Sequence, residues 1–133
     1  MRPASEQSGY DTIIAELEGA MNQWYKGDPS GYIKLFADDL TYFAPVTKGR
    51  LEGIAALKEL FSPLVGQINV ARFEMLNPKL QLHGDVGILT YHLNEYAGGG
   101  SATARWNATQ VYRRIGEHWR IIHAHWSFMA NTL

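Results

Sequence analysis

The sequence predicts an α+β domain in which three N-terminal helices pack on a strongly curved antiparallel sheet. Two observations carry this. Apolar residues recur at helical spacing up to about residue 68 and alternate beyond it, and glycine-containing reversals at 84–85, 98–100 and 116–117 divide the second half into four long strands. No linker, repeat or low-complexity tract interrupts the 133 residues, so a single domain is expected over 10–133, preceded by a polar, flexible tail at 1–9.

In the first helix, Ile13, Ile14, Leu17, Met21, Trp24 and Tyr25 form one face, with Asp11 as N-cap and Gly27 as the left-handed stop. Asp28 and Pro29 then supply a cap and a first-turn proline for a short second helix that carries Tyr32, Ile33, Leu35 and Phe36 and ends at Asp38 and Asp39. Leu40 to Ala44 reads as a strand closed by Pro45, and Gly49 to Gly53 as a turn with a brief extended piece. Ile54, Leu57, Leu60, Phe61 and Leu64 line a third helix that Pro63 kinks or stops. The four strands are expected at about 68–83, 86–97, 102–115 and 118–129, with a bulge at Asn77 and Pro78 that bends the sheet so that the helices cover its concave face.

Composition narrows the function. There is no cysteine, which excludes thiol catalysis, thiolate metal sites and disulfides and fits a cytoplasmic location. Twelve basic against thirteen acidic residues leave a formal charge of −1, without the basic stripe that a nucleic-acid partner requires. No apolar run approaches the about 20 residues of a membrane span. With 46% apolar residues, including 4 Trp, 7 Tyr and 5 Phe, the chain can bury a core without metal, and no cofactor is expected.

Strand parity selects the candidate site. On the last strand Ile122, Ala124, Trp126 and Phe128 form a wholly apolar set, against Trp119, Ile121, His123, His125 and Ser127. On the third long strand Ala104, Trp106, Ala108, Gln110 and Tyr112 oppose the more polar Arg105, Asn107, Thr109, Val111 and Arg113. The first set of each is expected to face the helices, with Leu89, Tyr91 and Leu93 from the strand between. Such a stripe is by default plain core. Alanines between large rings, and an amide at Gln110 that needs hydrogen-bond partners, point instead to a cavity.

The segments LFADDLTYFAPVTKGRLEGIAALKELF (35–61), MLNPKLQLHGD (75–85) and VYRRIGEHWRIIHAHWS (111–127) resemble the nuclear transport factor 2-like superfamily, which includes ketosteroid isomerase, scytalone dehydratase, SnoaL-type polyketide cyclases and the association domain of calcium/calmodulin-dependent kinase II. The resemblance covers nearly the whole chain. It implies a cone-like α+β barrel with a pocket, and a convex sheet face that forms a homodimer. Isomerase chemistry does not carry over: Ala44 stands where the catalytic Asp precedes the strand-ending proline, and Ala20 and Gln110 stand at the oxyanion-donor positions. The arginines of the kinase pocket are also missing, with Leu93 and Gln110 at two of those positions.

The expected pocket is therefore lined by Trp24, Phe43, Tyr91, Trp106, Gln110, Tyr112, Ile122 and Trp126, and its ligand is a small, apolar or ring-containing molecule. The expected dimer face comprises Arg105, Asn107, Trp119, Ile121, His123 and His125. Two histidines two residues apart on a strand lie about 7 Å apart on one face, too few ligands for a metal site. Were the parity reversed, His123 and His125 would become acid/base candidates. Glu95, toward the pocket mouth, is the carboxylate to watch; its ordinary reading is a solvated strand end. Two functions follow: a SnoaL-like ligand-binding or enzymatic domain of isomerase, dehydratase or cyclase type, or an association module with a vestigial pocket. A cavity smaller than about 300 Å³ would favour the second.

Overall fold

The computed structural model describes residues 4–68, 70–98 and 100–130, with side chains from residue 7 onward. Residues 1–3 of the expected tail, Asn69 and Gly99 lie outside the described residues. The elements run α1 (Ala4–Trp24), α2 (Ser30–Ile33), β1 (Phe36–Phe43), β2 (Leu51–Glu52), α3 (Ile54–Phe61), a 3₁₀ turn (Ser62–Leu64), β3 (Arg72–His83), β4 (Val86–Tyr96), β5 (Ala104–Ile115) and β6 (His118–Phe128). The six strands form one mixed sheet in the order β2-β1-β6-β5-β4-β3, and every neighbouring pair is antiparallel except β1 and β6, which run parallel. No helix among the described residues is long and apolar enough to cross a membrane.

Helix α1 begins seven residues before Asp11, which lies inside the helix and accepts a hydrogen bond from Gln7 at 2.9 Å instead of capping it. Tertiary packing explains the extension. Gly9 is buried, with Leu82 and Trp119 standing 3.7 Å from where its Cβ would be. A polar composition does not reveal that such a turn has a wall to lean on. The core face of α1 is Ile13, Leu17, Ala20 and Met21, all at most 4% exposed. Gly27, with φ +92°, stops the chain, and its carbonyl accepts a hydrogen bond from the Gly66 N–H at 2.9 Å.

The second helix is a single turn. Pro29 takes the cap position expected for Asp28, which stands one residue earlier and accepts from the Ser30 N–H at 3.0 Å; Phe36 already belongs to β1 and the acidic pair Asp38–Asp39 sits exposed in that strand. Pairing overrides the helical spacing here: Phe36 registers with Ile121, and the Ile121 N–H donates to the Leu35 carbonyl at 2.7 Å.

In the second half the observed strands fall within four residues of the expected limits. Gly84 and Gly116 adopt φ of +62° as the first central residues of two-residue loops, while Asp85 and Glu117 keep negative φ, as a II′ reversal requires. Asn77, at φ +53°, and Pro78 interrupt the β3–β4 register between Leu76 and Lys79, so the predicted bulge is present. A second bulge was not foreseen. In the β5–β6 ladder Val111 registers with His123 but Tyr112 with Ile121, which leaves Ile122 unpaired.

Candidate functional site

The second bulge decides which side chains of β6 face the helices. Directly opposed residues share a face of the sheet, so Tyr112 and Ile121 point inward together, as do Gln110 with Ala124 and Ala108 with Trp126. Alternation therefore slips by one residue at Ile122. Two corrections follow. Ile121, expected on the dimer face, is fully buried in the core, and Ile122, expected in the pocket, is displaced from that register and does not line it. Trp119 is likewise partly buried and packed against the core cluster instead of lying on the outer face.

A cavity of about 320 Å³ lies between the inner face of the sheet and the helices. Met21, Trp24 and Tyr25 of α1 form one side and Tyr32 of α2 the back; Leu60, Phe61 and Leu64 close another side. The sheet contributes Tyr42, Leu93, Glu95, Trp106 and Trp126, and Ala44, Pro45 and the 74% exposed Val46 form the rim. Edge-to-face contacts of Trp24 with Tyr32 and Phe61, and of Trp106 with Trp126, hold these rings rigidly.

Of the eight expected pocket residues, Trp24, Trp106 and Trp126 line the cavity. Phe43 does not: Tyr42 takes the inward position of β1, and Phe43 faces outward against His123 and His125, at ring distances of 5.5 and 5.2 Å. Tyr91, Gln110 and Tyr112 are buried outside the cavity lining. They form a polar layer in which the Tyr112 hydroxyl donates to Gln110 Oε1 at 3.3 Å and Gln110 Nε2 donates to the Tyr32 hydroxyl at 3.2 Å. The Tyr91 hydroxyl makes no hydrogen bond among the described residues. Sequence reading missed Tyr32 and Tyr42. Tyr32 was legible only as a helix-face aromatic, and on β1 both parity sets end in an aromatic, so alternation could not choose between Tyr42 and Phe43.

The few polar groups on this wall have defined roles. Tyr32 oxygen accepts from Gln110 and, at 3.1 Å, from the Trp126 indole N–H. A phenol oxygen accepts two hydrogen bonds and donates one. Both acceptor positions are thus filled, and the Tyr32 proton has no acceptor among the described residues. Burial pushes this phenol up to about 12, against the opposing effect of its two hydrogen bonds, so it stays a donor at neutral pH. Tyr42, raised well above its ordinary value by burial and then by Tyr32, also keeps its proton and makes no hydrogen bond among the described residues. At the mouth, Glu95 accepts from the Tyr25 hydroxyl and, at 2.9 Å, from the Trp106 indole. Burial first and Glu95 second hold Tyr25 in its protonated, donating form. A carboxylate has about four lone-pair sites, so Glu95 retains accepting capacity beyond these two bonds.

On the opposite face, His123 Nδ1 lies 2.8 Å from Thr41 Oγ1, and its ring centre lies 6.5 Å from that of His125. Burial first and His125 second lower the His123 pKa. Arg105 and His125 are exposed and Asn107 half-buried on this outer face. Among the described residues no three His, Asp or Glu side chains are grouped to hold a metal.

A curved sheet capped by helices around an internal cavity defines a pocket-bearing, cone-shaped α+β domain. The family model of the SnoaL-like domain matches residues 14–131, and the chain belongs to that family. Solved structures agree in fold. A candidate ketosteroid isomerase from Parabacteroides distasonis superposes with a TM-score of 0.77 at 28% identity, over 90% of this chain and 86% of that one. A nuclear transport factor 2-like protein of unknown function from Pseudomonas putida gives 0.80 at 25% identity, over 91% and 87%. The association domain of calcium/calmodulin-dependent kinase II from C. elegans gives 0.76 at 22% identity, over 94% and 99%.

Proposed function

We propose that this domain binds a small, largely apolar, ring-containing molecule that presents a hydrogen-bond-accepting oxygen to Tyr32. The observation that carries the reading is the Tyr32 hydroxyl, whose proton is left without an acceptor among the described residues at the wall of a mainly apolar cavity. A buried donor without a partner costs about 1–3 kcal/mol, which a ligand carbonyl or ether oxygen recovers. Rigid aromatic walls suit a flat body, and a volume of about 320 Å³ lies within the range of small-molecule sites. Glu95 is the one carboxylate lining this cavity among the described residues and so the group that would receive a proton from a bound molecule. Ala44 on the rim has no such capacity, and the isomerase route that needs a carboxylate there is closed to this chain.

The test compares 2-acetylnaphthalene with 2-isopropylnaphthalene, which has the same shape without the oxygen, by titration of tryptophan fluorescence. Tyr32→Phe is expected to lower the ketone-to-hydrocarbon affinity ratio about 3- to 10-fold, the worth of one hydrogen bond. An unchanged ratio, or failure of both compounds to bind the wild type, would refute the reading.

A second function rests on the outer face. Phe43, His123, His125 and Asn107 lie there with the exposed Arg105, a mixture of rings and hydrogen-bonding groups suited to a second copy of the chain. The likeness to a kinase association domain supports self-association. A monomeric mass at micromolar concentration would exclude it.

A further inference from the structure

The cavity has a neighbour. Outside the sheet rim lies an open groove of about 420 Å³, and the two hollows share Ala44, Pro45 and Trp126 as a common wall. The groove differs from the inner cavity in charge. Phe43 and Phe128 give it apolar sides, but Lys48 and His125 stand in it, and no carboxylate lines it among the described residues. Lys48 makes no ion pair among the described residues; the ion pairs there are Arg50–Glu52, Arg72–Glu74 and Arg114–Asp85.

The loop that carries Lys48 is already built. The Thr47 N–H and hydroxyl both donate to the Ala44 carbonyl, at 3.0 and 2.9 Å, and Thr47 Oγ1 accepts from the Ala44 N–H at 3.2 Å. The turn over Pro45 and Val46 is therefore closed on itself, and Lys48 leaves it at a set position beside the shared wall. Trp126 is fixed from the other side, through its indole N–H to Tyr32.

We propose that the ligand is bipartite: its ring fills the inner cavity, and a singly charged, carboxylate-type tail passes over Pro45 and Trp126 into the outer groove to meet Lys48. This rests on the ligand-binding reading above and names the substrate class for it. One ammonium without an arginine fork suits a monoanion. An apolar body and a charged tail also match the two environments in the order in which the chain offers them, mostly apolar inside and open to solvent outside.

The test uses three probes on the full chain: 2-acetylnaphthalene, 4-(2-naphthyl)-4-oxobutanoate and the primary amide of that acid. The acid and amide have the same shape and differ in charge. The wild type is expected to bind the acid about three- to fivefold tighter than the amide at low salt, with the preference shrinking as ionic strength rises. Lys48→Gln is expected to bring the acid down to the affinity of the amide, and because Lys48 is exposed the fold is not at risk. If 2-acetylnaphthalene binds but acid and amide bind alike, or if Lys48→Gln keeps the preference, the bipartite ligand is wrong and the inner pocket stands. If 2-acetylnaphthalene does not bind, both readings fall.

Discussion

Replacing Tyr32 by Phe removes one oxygen on which two donors depend, so its cost can be worked out from the structure. Gln110 is 0% exposed, and its Nε2 loses a 3.2 Å bond; the Trp126 indole loses one of 3.1 Å. An unsatisfied buried donor costs about 1–3 kcal/mol. The Gln110 amide bears this in full, whereas Trp126 borders the cavity and regains part of it from water. The sum is about 2–4 kcal/mol, or a drop in Tm of roughly 10 °C for a domain of this size. Tyr42→Phe is the control, because its hydroxyl makes no hydrogen bond among the described residues, and it should stay within about 0.5 kcal/mol of wild type. Urea and thermal unfolding monitored by circular dichroism measure both variants. Adding Gln110→Leu and Tyr112→Phe to Tyr32→Phe should recover part of the loss, since removing every member of the Tyr112–Gln110–Tyr32 chain of bonds is cheaper than removing one. If Tyr32→Phe is as mild as Tyr42→Phe, Tyr32 is not the shared acceptor and its proton is not left free for a ligand.

Alkaline pH should unfold the domain steeply. Tyr25, Tyr32, Tyr42, Tyr91 and Tyr112 all have pKa values raised by burial, so above about pH 10 the unfolded state releases protons that the folded state retains, and stability falls as pH rises. Each group contributes a slope of up to about 1.4 kcal/mol per pH unit. Phenolate absorbance at 295 nm from these five rings should appear together with loss of the circular dichroism signal; gradual ionisation of a folded protein would contradict their burial. Gly27→Ala should cost about 2–3 kcal/mol, because φ is +92° and the new Cβ would meet Gly66 Cα at 3.0 Å. Gly66→Ala, with φ +71° and open space around it, should cost about 1 kcal/mol, and equal losses would show that the close approach of the two turns is not tight.

The sheet was largely legible because its signals are local. Gly84, Gly116 and the Asn77–Pro78 pair are residues whose backbone preferences act within two or three positions, and each turn or bulge stands where those residues stand. The candidate site was legible in part. Trp24, Trp106 and Trp126 could be placed on the cavity by periodicity, and Glu95 toward its mouth, because α1, β4, β5 and the end of β6 keep their expected register. Ile121, Ile122, Trp119 and Phe43 were misplaced for one class of reason: their facing depends on what lies beside the strand. No glycine or proline marks the slip at Ile122, which comes from pairing β6 with β5 on one side and with a parallel β1 on the other.

The sequence by itself determined the α+β class, the four-strand antiparallel core and its first bulge, since periodicity and turn chemistry are properties of neighbouring residues. Only the tertiary structure decided the parallel β1–β6 pairing, the parity change at Ile122 and the convergence of Gln110 and Trp126 on one tyrosine oxygen. Those depend on contacts between residues as far apart as Tyr32 and Trp126, 94 positions along the chain, and no local pattern encodes which lone pairs such a meeting fills.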